Sequence, residues 1–137
     1  MPVTRFPGGI AAGGGSSGAT SAGGVFALRF SFDPTSATQI SLGVLPAGAV
    51  PINVLGYGGA TGGTNPTVDI GTSGDPDGIA NELDCDATGT MAVSAATNGV
   101  LLNTQFSAET EVFGKVGASA ATGGTFSGIL LYIVENT

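Results

Sequence analysis

Between Val25 and Asp33 the side chains alternate: Phe26, Leu28, Phe30 and Phe32 fall on one side, Ala27, Arg29 and Ser31 on the other. A period of two fits only an extended strand with one face against a core. The same signature predicts further strands. Asp33-Pro34 ends the first, and a second runs through Ile40, Leu42 and Val44 to the turn Leu45-Pro46-Ala47-Gly48, where proline pre-sets the first central turn position. A third spans Val50 to Tyr57 with Ile52 and Val54 inward, and a short fourth holds Val68 and Ile70. Later strands are expected around Met91 and Val93, at Val100 to Phe106, at Val112 to Val116 and at Phe126 to Glu135. The only helical alternative is about two turns at Asp77 to Leu83. About eight short strands with glycine-rich punctuation predict an all-β, jelly-roll-like antiparallel β-sandwich.

The last strand differs from the rest. In Phe126 to Glu135 both alternating sets are apolar: Ile129, Leu131 and Ile133 on one side, Leu130, Tyr132 and Val134 on the other. A sandwich covers one face of a strand, so the second needs another cover. A second copy of the chain is the expected cover, with Leu130, Tyr132 and Val134 as candidate interface residues.

Residues 1–24 have a different composition, centred on GGIAAGGGSSGATSAGG. Such a tract buries too little apolar surface to offset backbone ordering, and it reads as a flexible arm ahead of a sandwich domain at 25–137. Arg5, Phe6 and Ile10 are its anchors, candidates for ordering against a neighbouring subunit or partner. The arm offers no apolar core of the kind a secretory signal needs.

Charge narrows the function classes. The 137 residues carry a net charge of −7, with only Arg5, Arg29 and Lys115 positive, so no basic stripe exists to neutralise phosphates and nucleic acid is not expected as a partner. The apolar run Ile129 to Val134 is far below the ~20 residues that span a bilayer, so no membrane is expected either. Histidine is absent, which removes the usual general base and the Ser-His-Asp triad; no enzyme activity and no cofactor are expected. The single cysteine, Cys85, rules out an intramolecular disulfide and reads as a small buried apolar residue.

The acidic stretch Ser73 to Asp84 can be aligned with a calcium loop, with Asp75, Asp77 and Gly78 at the third, fifth and sixth positions and Asp84 at the twelfth. Serine takes the place of the first carboxylate and aspartate that of the bidentate glutamate. The plainer reading makes Asp75 the cap of a short helix beginning at Pro76. Glycine clusters at Gly58 to Gly63 and Ala121 to Thr125 lack the lysine and hydroxyl of a phosphate loop and read as hairpin loops.

With LPAGAV at Leu45 to Val50 and NPTVDIGTSGDPDGIA at Asn65 to Ala80, the chain resembles the small decoration, or cement, proteins of tailed-bacteriophage heads. The resemblance implies a non-catalytic, commonly trimeric β-protein made in the host cytoplasm, sitting on the capsid exterior and bracing neighbouring copies of the major capsid protein. TFSGILLY at Thr125 to Tyr132 is similar to the closing strand of trimeric complement-type and tumour-necrosis-factor-type jelly-roll heads. Both likenesses imply a homotrimer. The expected function is therefore structural, as a virion component. On this reading Thr64 to Gly78 is an edge strand and turn whose Asp69, Asp75 and Asp77 face water or the partner. The rival reading is a receptor- or glycan-binding fibre head, for which Tyr57 is the loop-proximal aromatic ring.

Overall fold

The structure, a computed structural model, describes residues 24–57, 59–86, 90–94 and 97–135. Among them lie ten strands: β1 (Phe26–Phe32), β2 (Ile40–Leu45), β3 (Ala49–Tyr57), β4 (Ala60–Thr61), β5 (Thr67–Gly71), β6 (Ala80–Asp84), β7 (Thr90–Ala92), β8 (Thr110–Val116), β9 (Gly123–Gly124) and β10 (Phe126–Val134). They form two four-stranded antiparallel sheets, ordered β1-β10-β3-β7 and β2-β8-β5-β6, plus the small pair β4-β9. With β4 and β9 set aside, the orders are first-eighth-third-sixth and second-seventh-fourth-fifth, the interleaving of a jelly roll. The predicted β-sandwich is therefore the observed fold. Anchors Arg5, Phe6 and Ile10 lie outside the described residues.

The core is built on phenylalanine. Phe30, Phe32 and Phe126 sit in mutual ring contact, with centroids 5.8–6.1 Å apart, and each is fitted against a glycine of a facing or adjacent strand. A Cβ on Gly114 would stand 2.7 Å from the Phe32 ring, one on Gly128 would stand 2.9 Å from Phe30, and one on Gly56 would collide with Phe126. The strand glycines thus make room for aromatic bulk. Leu45, Val54, Val68, Ile70, Ile79, Val112 and Leu130 complete the interior.

Three departures from simple alternation have one cause. In β2 Val44, two places on from Leu42 in the alternating set Ile40, Leu42 and Val44, is 49% exposed while Leu45 is fully buried, because the β2–β8 register slips between Ser41 and Gly43. Leu42 is the extra residue of a bulge, and beyond it the parity reverses. In β3 the register with β10 skips Ile52, so Pro51 and Val54 are buried while Ile52 is only half-buried.

The third case is the stretch read as helix. Asp77 to Leu83 is no helix: it is a turn leading into β6, and Asp75 caps nothing helical, since Gly78 N–H closes a tight turn by donating to Asp75 C=O at 3.0 Å. Ala80 pairs with Ile70 and Leu83 with Val68, so that Asn81 and Glu82 on β6 together oppose Asp69 on β5. A bulged strand presents apolar residues at an i, i+3 spacing, which is also a helical spacing. Because β6 exists, β5 lies between β8 and β6 and is not the edge strand expected.

Two further expectations are corrected. Val100 to Phe106 is a run of turns in place of a strand, with Leu102 N–H bonded to Gly99 C=O and Thr104 N–H to Leu101 C=O. It still docks on the edge of β3, where Asn103 N–H reaches Pro51 C=O and Phe106 N–H reaches Ala49 C=O. The two glycine clusters are not independent hairpin loops. They meet as β4 and β9, with Ala60 opposite Gly124 and Thr61 opposite Gly123. Gly124, at φ +85°, lies so close to Gly59 that a side chain has no space.

Candidate functional site

The two outer faces of the sandwich differ in chemistry. On the β1-β10-β3 side the outward residues include Ala27, Arg29 and Ser31, Ser127, Ile129, Leu131 and Ile133, and Asn53, Leu55 and Tyr57, as the cross-strand register fixes. Leu55 stands opposite Ile129, and Ile129 opposite Arg29. Ile129, Leu131, Ile133 and Leu55 are half-buried, and Tyr57 is 53% exposed. The face is an aliphatic stripe with Arg29 as its charge, and Arg29 has no hydrogen-bond or ion-pair partner among the described residues.

The opposite outer face is polar. Ser41 and Val44 of β2, Glu111, Phe113 and Lys115 of β8, Thr67 and Asp69 of β5 and Asp84 of β6 point outward there. Ser41 donates to Glu111 Oε2 at 2.6 Å. An apolar face on one side and an ionic face on the other make the β1-β10-β3 side the better candidate for contact with another protein.

The interface residues expected from the last strand divide accordingly. Leu130 is 1% exposed and belongs to the core, so it is unavailable to a partner. Tyr132 packs against the same core and stacks on Phe26 with ring centroids 5.5 Å apart, while Val134 is half-buried at the strand end. The outward members of β10 are Ile129, Leu131 and Ile133. Sequence parity separated the two sets; only the packing of Phe126 and Leu130 against the second sheet says which one is inside.

The acidic stretch is dispersed. Asp75 and Asp77 line a shallow recess of about 170 Å³ with Gly78, Asn81, Asn98, Gly99 and Val100. Partial desolvation, and then the hydrogen bond and like charge of Asp77, hold the Asp75 carboxyl above its ordinary 3.8. Asp84 is at the far end of β6, where its Oδ1 accepts the Asp86 N–H at 3.1 Å. The calcium-loop alignment therefore does not close in space, and no group of three or more His, Cys, Asp or Glu side chains among the described residues could hold a metal ion.

Asp69, expected to face water or a partner, is 9% exposed. Its Oδ1 accepts the N–H of Glu82 at 2.8 Å. Glu82 adopts φ +55°, so the carboxylate satisfies the backbone donor at the β5–β6 bulge. Burial raises its pKa above 3.8; the Glu82 hydrogen bond and the Lys115 charge oppose that shift, and the charges of Asp77 and Glu82 add to it. No sequence pattern marked this role, since the bulge that creates it is visible only in the pairing. Cys85 is fully buried, and its thiol is pushed up to about 11 by desolvation and then by Asp86 and Asp84. A thiol so placed is unreactive near neutral pH.

A chain from the capsid of Ralstonia phage GP4 superposes with a TM-score of 0.63 at 28% identity, over 85% of this chain and 88% of that one. A chain from the capsid asymmetric unit of Cyanophage Pam1 superposes with a TM-score of 0.64 at 19% identity, over 90% of this chain and 94% of that one, a likeness of fold. No protein-family model and no curated protein matches the sequence.

Proposed function

We propose that this chain is a non-catalytic structural protein of a tailed-phage virion, which decorates the capsid exterior as a homotrimer and braces neighbouring major capsid subunits. The observation that carries this reading is the likeness, at 28% identity over 85% of the chain, to a chain of a phage capsid. The asymmetry of the outer faces supports it: a bracing protein needs one apolar face to dock and an acidic remainder to stay soluble. Subunit contacts then fall to Ile129, Leu131, Ile133 and Leu55, with Arg5, Phe6 and Ile10 as anchors of the arm.

Mass spectrometry of purified virions, followed by cryo-EM of the intact particle, tests the reading. The expected result is this chain as density outside the major shell, at sites joining adjacent subunits. Absence from virions, or density confined to tail fibres, would overturn it; the latter outcome would favour the receptor-head rival, whose main support is the exposed Tyr57 ring.

A further inference from the structure

A β-sheet edge presents unpaired backbone groups, and stable proteins blunt it with bulges, charges, shortness or a cover. Among the described residues, three of the four edges of the two large sheets are blunted. Strand β2 is bulged at Leu42; β6 is bulged and carries Glu82 and Asp84; β7 has three residues. Strand β1 is neither bulged nor short. It pairs with β10 over seven consecutive residues without a register shift, and no described strand lies on its other side. Its sequence, FALRFSF, contains no proline and one charge, Arg29. Val25 and Phe26, at its start, are among the most exposed large apolar residues described.

We propose that the free edge of β1 is a strand-addition site, taking an extended, alternately apolar segment of a partner protein with a carboxylate opposite Arg29. Backbone hydrogen bonds supply affinity in this mode, and side chains at alternate positions supply specificity. Charge selects the occupant. In an antiparallel pairing of two β1 strands centred on the edge, Arg29 would face Arg29 of the second copy, and directly opposed like charges destabilise a strand pair. Residues 1–23 contain no acidic residue, and their charged side chain is Arg5. A carboxylate-bearing segment of another protein meets the unpartnered guanidinium instead. The inference rests on the virion reading for which protein supplies that segment, and on the edge alone for the chemistry.

Hydrogen exchange of the full chain, free and on phage particles, reads the edge directly. Outward amides of β1 are expected to exchange fast in the free protein and at least ~10-fold slower on the particle. Arg29→Glu should leave the melting temperature unchanged and weaken particle binding by about tenfold, with Arg29→Lys close to wild type. Peptide Thr-Val-Thr-Glu-Thr-Val-Thr should protect the same amides in the free chain, and its lysine-centred counterpart should not. Protection already present in the free chain overturns the proposal: if concentration-dependent it assigns the edge to a second copy, and if not, to residues 1–23. Unprotected β1 amides on particles that do carry the chain overturn it as well. A chain that binds no particle refutes the virion reading, and the peptide pair then decides the edge proposal by itself.

Discussion

Asp69 and the strand glycines show how single residues set this fold. Replacing Asp69 by alanine leaves the Glu82 N–H without its acceptor, an expected loss of about 1–3 kcal/mol by chemical denaturation. Asp69→Asn keeps an acceptor oxygen and removes the buried charge, so it should be neutral or stabilising at pH 7. Because burial raises the folded-state pKa above 3.8, the stability that Asp69 contributes is fully present below that value and is lost as pH rises through the folded pKa. The advantage of Asp69→Asn over wild type should therefore grow with pH across that window, and a pH-independent difference would contradict the assignment. Gly56→Ala drives a methyl group into the Phe126 ring. It should cost roughly 1–3 kcal/mol through overpacking, measurable as a lowered denaturation midpoint. An abundance of glycine was legible as loops; that Gly56, Gly114 and Gly128 serve phenylalanine rings was not, because ring-to-backbone contacts join residues far apart in sequence.

At the level of strands, β10 makes the most specific demand. Its two apolar sets are now distinct, Leu130 in the core and Leu131 on the outer face. Leu130→Asp places an unpaired charge in the interior and should prevent folding, with an expected cost of several kcal/mol. Leu131→Asp should preserve the far-ultraviolet circular dichroism and the melting transition of the monomer, while light scattering shows the proposed trimer dissociating. A Leu131→Asp chain that assembles as wild type would remove this face from the interface. Strand existence was readable for β1, β2, β3, β5, β8 and β10, where apolar and polar residues alternate, and for β7, expected around Met91 and Val93. It failed at β6 and at Val100 to Phe106. In the first a bulge mimics helical spacing; in the second Leu101, Leu102 and Phe106 supply an apolar run, but Asn103 at φ +65° turns the chain.

For the molecule as a whole, the described core begins at β1, so deleting residues 1–24 should leave the melting temperature unchanged while weakening attachment to particles in a co-sedimentation assay. Undiminished binding would assign attachment to the sandwich alone. The jelly-roll class followed from period-two alternation, helical spacing confined to Asp77 to Leu83, and turn residues at Asp33-Pro34 and Leu45 to Gly48, because those are local properties of the backbone and of one face's hydrophobicity. The lack of a histidine, the single cysteine and the acidic balance were equally legible, since composition bounds chemistry before any folding. What only the tertiary structure decided depends on pairing: which set of β10 is buried, where bulges at Leu42, Ile52 and the β5–β6 pair reverse the parity, how Asp69 comes to serve Glu82, and that β1 has a described strand on one side and none on the other. A bulge inserts one residue without altering composition or local propensity, and its consequences appear only when a second strand fixes the register. The strands of this protein were therefore written locally, whereas the choice of its interior side chains and its two unlike outer faces arose from the way the strands were brought together.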